Sequence, residues 1–229
     1  MAKVKFSALV SEMRNKLNGS VFSKNRAGNY LRNKVTPVNP RTVLQQNVRG
    51  RFGSLSSSWR GLTEAERQSW IDKAVEFPYN DIFGDQKILT GLQLYVKLNS
   101  NLEQAGESPL TNAPSPQPVT QLLALQATYD DTAGSEELML NMNYAGVLPS
   151  TGIFVYATPP VGAGISFVKN LYRFIAHESP NPATLDIYAD YVARFGEIGT
   201  GQKVFIRVAC INELTGQVGT ALETMVIAP

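Results

Sequence analysis

Acidic residues are almost absent from the first sixty positions of this chain: Glu12 stands alone there against twelve lysines and arginines, a local balance of +11. The other nine basic and eighteen acidic residues leave −9 for the remainder, so the bland overall charge of +2 conceals two oppositely charged stretches. Such asymmetry points the basic end toward a polyanion, an acidic protein surface, or the acidic part of a neighbouring copy. Long apolar runs are also lacking. None approaches the roughly 18 residues of a membrane span, and Phe6 to Val10 is too short for the core of a signal peptide. The expected setting is a cytoplasm-like compartment, with no membrane partner.

Cysteine and histidine are each present once, as Cys210 and His177. A single cysteine excludes an internal disulfide, and one Cys with one His cannot make a zinc site of the Cys/His kind. Cys210 falls in the alternating run Val204–Ile211 and reads as a small buried hydrophobe. His177 precedes Glu178-Ser179-Pro180 in a polar turn context, so it reads as a surface or turn histidine rather than a catalytic base, and no role is assigned to it. Gly162-Ala163-Gly164 lacks the lysine and helix start of a phosphate cradle and reads as a loop. The paired acids Asp130-Asp131 and Glu136-Glu137 flank a Thr-Ala-Gly-Ser turn, where they solvate a hairpin end. No enzymatic activity, cofactor, metal or small-molecule substrate is expected.

A hydrophobic fraction of 43% suffices for a core. Gly19 to Val35 reads as a β-hairpin or extended arm, Val21-Phe22-Ser23-Lys24 and Tyr30 to Val35 around a turn at Arg26-Ala27-Gly28-Asn29. A lone hairpin needs something to lie on. After Thr36-Pro37-Val38, Asn39-Pro40 predicts a helix N-cap and first turn, with Leu44, Val48, Phe52, Leu55, Trp59 and Leu62 along one face. Thr63-Glu64-Ala65-Glu66 is a capping box that opens a second helix ending before Pro78, and the two helices are expected to form a hairpin with Trp59 and Trp70 at its seam. A third helix is expected from Thr90 to about Ala105, with Leu92, Tyr95, Val96, Leu98 and Leu102 inward and Gly106 as terminator.

Four prolines between Glu107 and Thr120 predict a semi-rigid linker, giving a basic arm and helical domain over 1–106, a linker over 107–118 and a second domain over 119–229. Beyond the linker the period changes to two. Strands are expected at Leu122–Tyr129, Leu138–Tyr144, Ile153–Ala157, Phe167–Ala176, Leu185–Tyr191, Val204–Ile211 and Leu222–Ile227, the pattern of an all-β sandwich. The fold class is thus α+β in two parts: an N-terminal arm or hairpin with helices, then the sandwich. The final strand, Asn212-Glu213-Leu214-Thr215-Gly216-Gln217 and the strand after it resemble the last hairpin of fibronectin type III and other immunoglobulin-like modules.

Lys24, Arg26, Tyr30, Arg32, Lys34, Arg41, Arg49 and Arg51 are the candidate partner-binding residues. Basic residues interleaved with aromatics can also neutralise phosphates while the rings stack, so nucleic acid is an alternative partner. A carbohydrate-binding surface using Tyr156, Tyr172, Tyr188 and Tyr191 is a further alternative. Arg26-x-Gly28-x-Tyr30-x-Arg32, Pro37-x-Asn39-Pro40-x-Thr42, Gln45-Gln46, Arg49, Phe52, Trp59 and Leu62-Thr63-x-x-x-Arg67-x-x-Trp70, taken in order over residues 19 to 75, resemble an N-terminal module of uncharacterised tailed-bacteriophage and prophage proteins. That resemblance implies a structural protein of the virion (head, neck or tail), made in the host cytoplasm. Other virion proteins and copies of itself would be its partners.

Overall fold

The computed structural model describes every residue except 1, 5, 8, 9, 11, 26, 27, 37, 81–85, 133 and 134. The protein is mixed α+β, with four α-helices and several antiparallel sheets among the described residues. Its chain divides into two compact units, Met1–Gln46 and Asn47–Pro229.

The expected hairpin is present in the first unit and is wider than expected. β1 (Ala2–Lys3), β2 (Asn15–Leu17), β3 (Ser20–Asn25) and β4 (Gly28–Asn33) form a four-stranded antiparallel sheet in the order β1-β4-β3-β2. β1 and β2 are too short to carry a periodic signal, and they are held by pairing with the hairpin rather than by their own side chains. The turn residues Arg26 and Ala27 lie outside the described residues.

Helix α1 (Val43–Gly61), which runs across the boundary between the units, begins three residues later than the Asn39-Pro40 signal suggests. Asn39 Oδ1 accepts from the Arg41 amide at 3.4 Å and Arg41 has φ +50, so these residues close a turn. Thr42 then takes the capping position, its Oγ1 accepting from the Gln45 amide at 3.4 Å. Helix α2 (Glu64–Lys73) has the predicted capping box, and a 3₁₀ turn over Ala74–Glu76 follows it. Helix α3 (Gly91–Ala105) opens on a second box, Thr90 with Gln93, and ends at Gly106 in the left-handed conformation at φ +86. The tryptophans meet through this third helix: Tyr95 stacks tilted on Trp59 at 5.4 Å and edge-on to Trp70 at 5.2 Å between centroids. Leu92, expected inward, is half-exposed and Leu94 takes the buried position instead. A short hairpin, β5 (Tyr79–Asn80) with β6 (Gln86–Lys87), precedes α3, and the loop residues 81–85 between its strands lie outside the described residues.

Seven further strands follow. β7 (Leu122–Asp130), β8 (Glu137–Tyr144) and β11 (Thr184–Asp186) form a sheet in the order β11-β8-β7. β9 (Thr151–Ala157), β10 (Arg173–Glu178), β12 (Lys203–Asn212) and β13 (Leu222–Ile227) form another in the order β10-β9-β12-β13. Alternate residues of both sheets, among them Leu138, Leu140, Ile153, Val155, Ile206 and Val208, meet in one apolar cluster. Two expected strands differ. Residues 167–172 are loop and turn, and Leu185–Tyr191 divides after Asp186 into strand and helix. The Asp186 carboxylate accepts from the amides of both Leu138 (3.0 Å) and Tyr188 (2.9 Å), closing the strand and opening helix α4 (Tyr188–Phe195). Ile187, Tyr191 and Phe195 then recur every fourth residue toward the core.

β9 and β12 are buried on both faces, because Phe154, Ala209 and Ile211 on the side away from the shared cluster are also shielded from solvent. On that side Gln104 of α3 donates to the Tyr156 hydroxyl at 3.2 Å and Asn101 donates to Gly216 O at 2.8 Å. The proline-rich segment is correspondingly no free spacer. Asn99 clamps Leu110 by donating to its carbonyl and accepting from its amide (2.7 Å), Trp70 Nε1 donates to Thr111 O (2.7 Å), and the Gln117 amide donates to Gln217 (2.7 Å). Prolines favour an extended backbone here, and these bonds tie the segment to the helices and to the turn after β12.

Candidate assembly interface

Register in the N-terminal sheet sorts its side chains. Arg32 stands opposite Val21, which stands opposite Lys16, while Tyr30 stands opposite Ser23. Side chains directly opposite share a face, so Lys16, Arg32 and Tyr30 lie together with Val21 and Ser23. Phe22 opposite Leu31, and Lys24, occupy the other face. Glu12, the one acid of this region, sits 2.8 Å from Arg14 and 3.6 Å from Lys24, and that hydrogen bond with Arg14 lowers its pKa. Lys24 is thereby partly neutralised, whereas Lys16 and Arg32 stay exposed on the opposite face. Outside residues 2, 3, 25 and 28, none of the described residues of Met1–Gln46 is buried, although Phe22, Tyr30 and Leu31 are partly shielded.

The remaining candidate residues are divided between the two units. Arg26 lies outside the described residues. Lys34 extends the ladder, its amide donating to Gly19 O at 2.8 Å, and it is exposed like Arg41 and Arg49. Arg51 is committed within the second unit: its guanidinium donates to Gln104 Oε1 at 3.2 Å and lies 3.6 Å from Glu103, tying α1 to α3. Its charge is spent on holding two helices together.

The apolar residues of α1 lie along one face as the spacing predicts, and the structure divides that face. Leu55 is buried and Trp59 packs on the helical cluster, yet Leu44, Val48 and Phe52 are 53%, 51% and 49% exposed. Phe52 and Ser56 of α1 face Leu92, Val96 and Ser100 of α3 across an open groove of about 520 Å³. Periodicity placed these side chains on one face correctly. It carries no information on whether anything in the same chain covers that face.

Elsewhere the polar clusters are structural. His177 is not in a turn; it lies in β10 with only 16% of its side chain exposed, its ring against Phe154 and its Nε2 3.0 Å from Glu213 Oε1. The Ser179 hydroxyl donates to the other oxygen of the same carboxylate at 2.9 Å. Glutamate thus takes both groups, an arrangement that leaves serine without the histidine contact a nucleophile needs. Cys210 is buried in the core, and burial pushes its thiol up to about 11, so it is protonated and inert at neutral pH. Tyr191 is buried with its hydroxyl on Thr158 O, and Tyr188 stacks against Tyr129, which takes both away from a common surface with Tyr156 and Tyr172. Among the described residues no cluster of His, Cys, Asp or Glu has the makings of a metal site, and no helix is long and apolar enough to cross a membrane. No family model matches this chain, and no curated protein matches it either.

Proposed function

We propose that the chain is a non-enzymatic structural component of a tailed-bacteriophage virion, attached to other subunits through its basic N-terminal unit. One observation carries this reading: a 46-residue unit, strongly basic, built on a four-stranded sheet, in which every side chain described is at least partly exposed. Units this small bury too little surface to be stable alone, and two-sided sheets with open edges gain most from a neighbour that covers a face or adds a strand. The resemblance of residues 19 to 75 to a phage N-terminal module supports the same reading. The two C-terminal sheets are taken as an immunoglobulin-like sandwich exposed by the particle. Their order supports this, since β10-β9-β12-β13 against β11-β8-β7 matches the fibronectin type III variant, in which the fourth strand joins the sheet of the third.

The test is particle composition. The full-length chain should appear in purified virions by mass spectrometry, and a chain lacking residues 1–42 should fold yet fail to incorporate. Absence from particles, or incorporation undiminished by the deletion, would count against the role. A nucleic-acid reading has one observation in its favour, the shared face of Lys16, Arg32 and Tyr30. It requires DNA binding that weakens steeply with salt.

A further inference from the structure

Arg207 of β12 and Glu223 of β13 stand opposite each other, on the sheet face turned away from the apolar cluster that their neighbours Ile206 and Val208 enter. The loop between β9 and β10 closes over one side of this pair. Val168 is buried and anchors the loop, while its neighbours Phe167, 74% exposed, and Lys169 stand at solvent on either side of it. With Ser166 and Tyr172 these residues line an open cleft of about 410 Å³, within the range of roughly 300–1,000 Å³ usual for small-molecule sites. Its polar part is preorganised. Glu223 Oε1 accepts from Arg207 Nε at 2.9 Å and also from Nη2, Glu223 Oε2 accepts from the Tyr172 hydroxyl at 3.1 Å, and the Tyr172 ring centre lies 4.2 Å from the guanidinium carbon. Three side chains thus hold one another, so a ligand need not freeze them. Tyr172 supports the guanidinium, which leaves Phe167 as the ring at solvent.

Each group constrains what can bind. Phe167 offers an aromatic face, whose negative quadrupole attracts polarised C–H groups. The Glu223 carboxylate accepts hydrogen bonds, and the Ser166 hydroxyl gives or accepts them. Lys169 and Arg207 are two cations against one carboxylate, and Arg207 Nη1 takes no part in the contacts with Glu223, so the cleft favours a ligand carrying a negative charge. A flat aromatic or acyl ligand would leave Glu223 and Ser166 unpaired beneath it. A phosphate-rich one would press several negative charges on Glu223. We propose that the Phe167–Arg207–Glu223 cleft binds an acidic saccharide: a pyranose that lays a C–H face on Phe167, shares hydroxyl hydrogen bonds with Glu223 and Ser166, and sets its carboxylate between Lys169 Nζ and Arg207 Nη1. This binding activity goes beyond the assembly role and belongs to the C-terminal sheets alone.

Titration of the full-length protein with D-galacturonic acid and N-acetylneuraminic acid, followed by NMR, tests this, with galactose and acetate as partial ligands. Monosaccharides offer few atoms, so both acids should bind in the millimolar range, with amide shifts centred on residues 166–172, 207 and 223. Galactose should bind about tenfold more weakly, having no group for the charge-assisted bonds, and acetate should not saturate. Phe167→Ala should weaken the acids by about tenfold, and Lys169→Gln should bring them down to the level of galactose. Both side chains are exposed, and an unchanged thermal transition in the variants shows that folding is intact. No binding of either acid at tens of millimolar, galactose or acetate binding as tightly as the acids, or titrations that neither substitution alters each overturns the proposal. Incorporation into particles is read in a separate assay, so either idea can fail without the other.

Discussion

Residues 1–46 and 47–229 are built on opposite balances of the same forces. The first unit is a ladder of main-chain hydrogen bonds in which every side chain described is at least partly exposed, with one acid among nine basic residues. The second holds two apolar clusters, one around Tyr95 and one between the sheets, and carries twelve basic against eighteen acidic residues. Hydrogen bonds exchanged with water contribute only about 1 kcal/mol each, while a buried large side chain contributes about 1.5–3 kcal/mol. The second unit therefore stabilises itself, and the first has little apolar burial of its own to stabilise it.

The contrast is sharpest for large side chains. Trp70→Ala should cost about 3–5 kcal/mol in denaturant unfolding of the body, because the ring is fully buried against Tyr95 and its Nε1 serves Thr111 O. A loss below about 1 kcal/mol would mean the helical cluster is not a cooperative part of the fold. Gly216→Ala should cost roughly 2–3 kcal/mol, since φ is +73 and a Cβ would run into Leu98 O, prising α3 from the turn between β12 and β13. Thr63→Ala removes one half of a capping box and should cost about 1 kcal/mol.

Alkaline pH tests the same body from another side. Burial raises the pKa of Tyr144, Tyr156 and Tyr191, and with the Glu223 hydrogen bond pushes Tyr172 up to about 12; Cys210 rises to about 11. These groups ionise more readily in the unfolded chain, so their contribution is intact below about pH 9 and is lost as pH climbs through 11 and 12. Unfolding followed with ultraviolet tyrosine titration should show ionisation lagging that of free tyrosine, then rising with loss of structure. Phe22→Ala gives the smallest effect on stability. The body's unfolding midpoint should stay within experimental error while partner binding falls, and a clear shift in that midpoint would break the division into two units.

Local signals in this chain proved dependable where chemistry acts within a few residues. Thr63 with Glu66 and Gly106 mark helix ends as expected, and strict alternation located the strands Leu138–Tyr144, Ile153–Ala157 and Val204–Ile211 within the observed elements. Failures came where a distant group intervened. Leu185–Tyr191 alternates well enough for a strand, but Asp186 accepts from the Leu138 amide on β8 and from the Tyr188 amide two residues on, and the chain turns into a helix. Four prolines suggested a spacer, yet Asn99, Trp70 and Gln217 pin it down. Of the candidate interface residues, Arg51 carried no sequence signal that Glu103 and Gln104, across the helix pair, would hold it. The groove was missed because Phe52 and Leu92 carry the same periodic signature as core residues.

By itself, the order of residues determined the charge division, the helix caps and the two-residue period of the C-terminal strands, because each depends on composition or on neighbours a few positions apart. Tertiary structure alone decided which apolar faces are covered, that Arg51 is held by Glu103 and Gln104, and that Tyr156 of β9 and Gly216 of the turn after β12 lie against α3. These depend on contacts between residues fifty to more than a hundred positions apart, such as Gln104 with Tyr156 and Asn101 with Gly216, and burial is a property of both partners rather than of either segment.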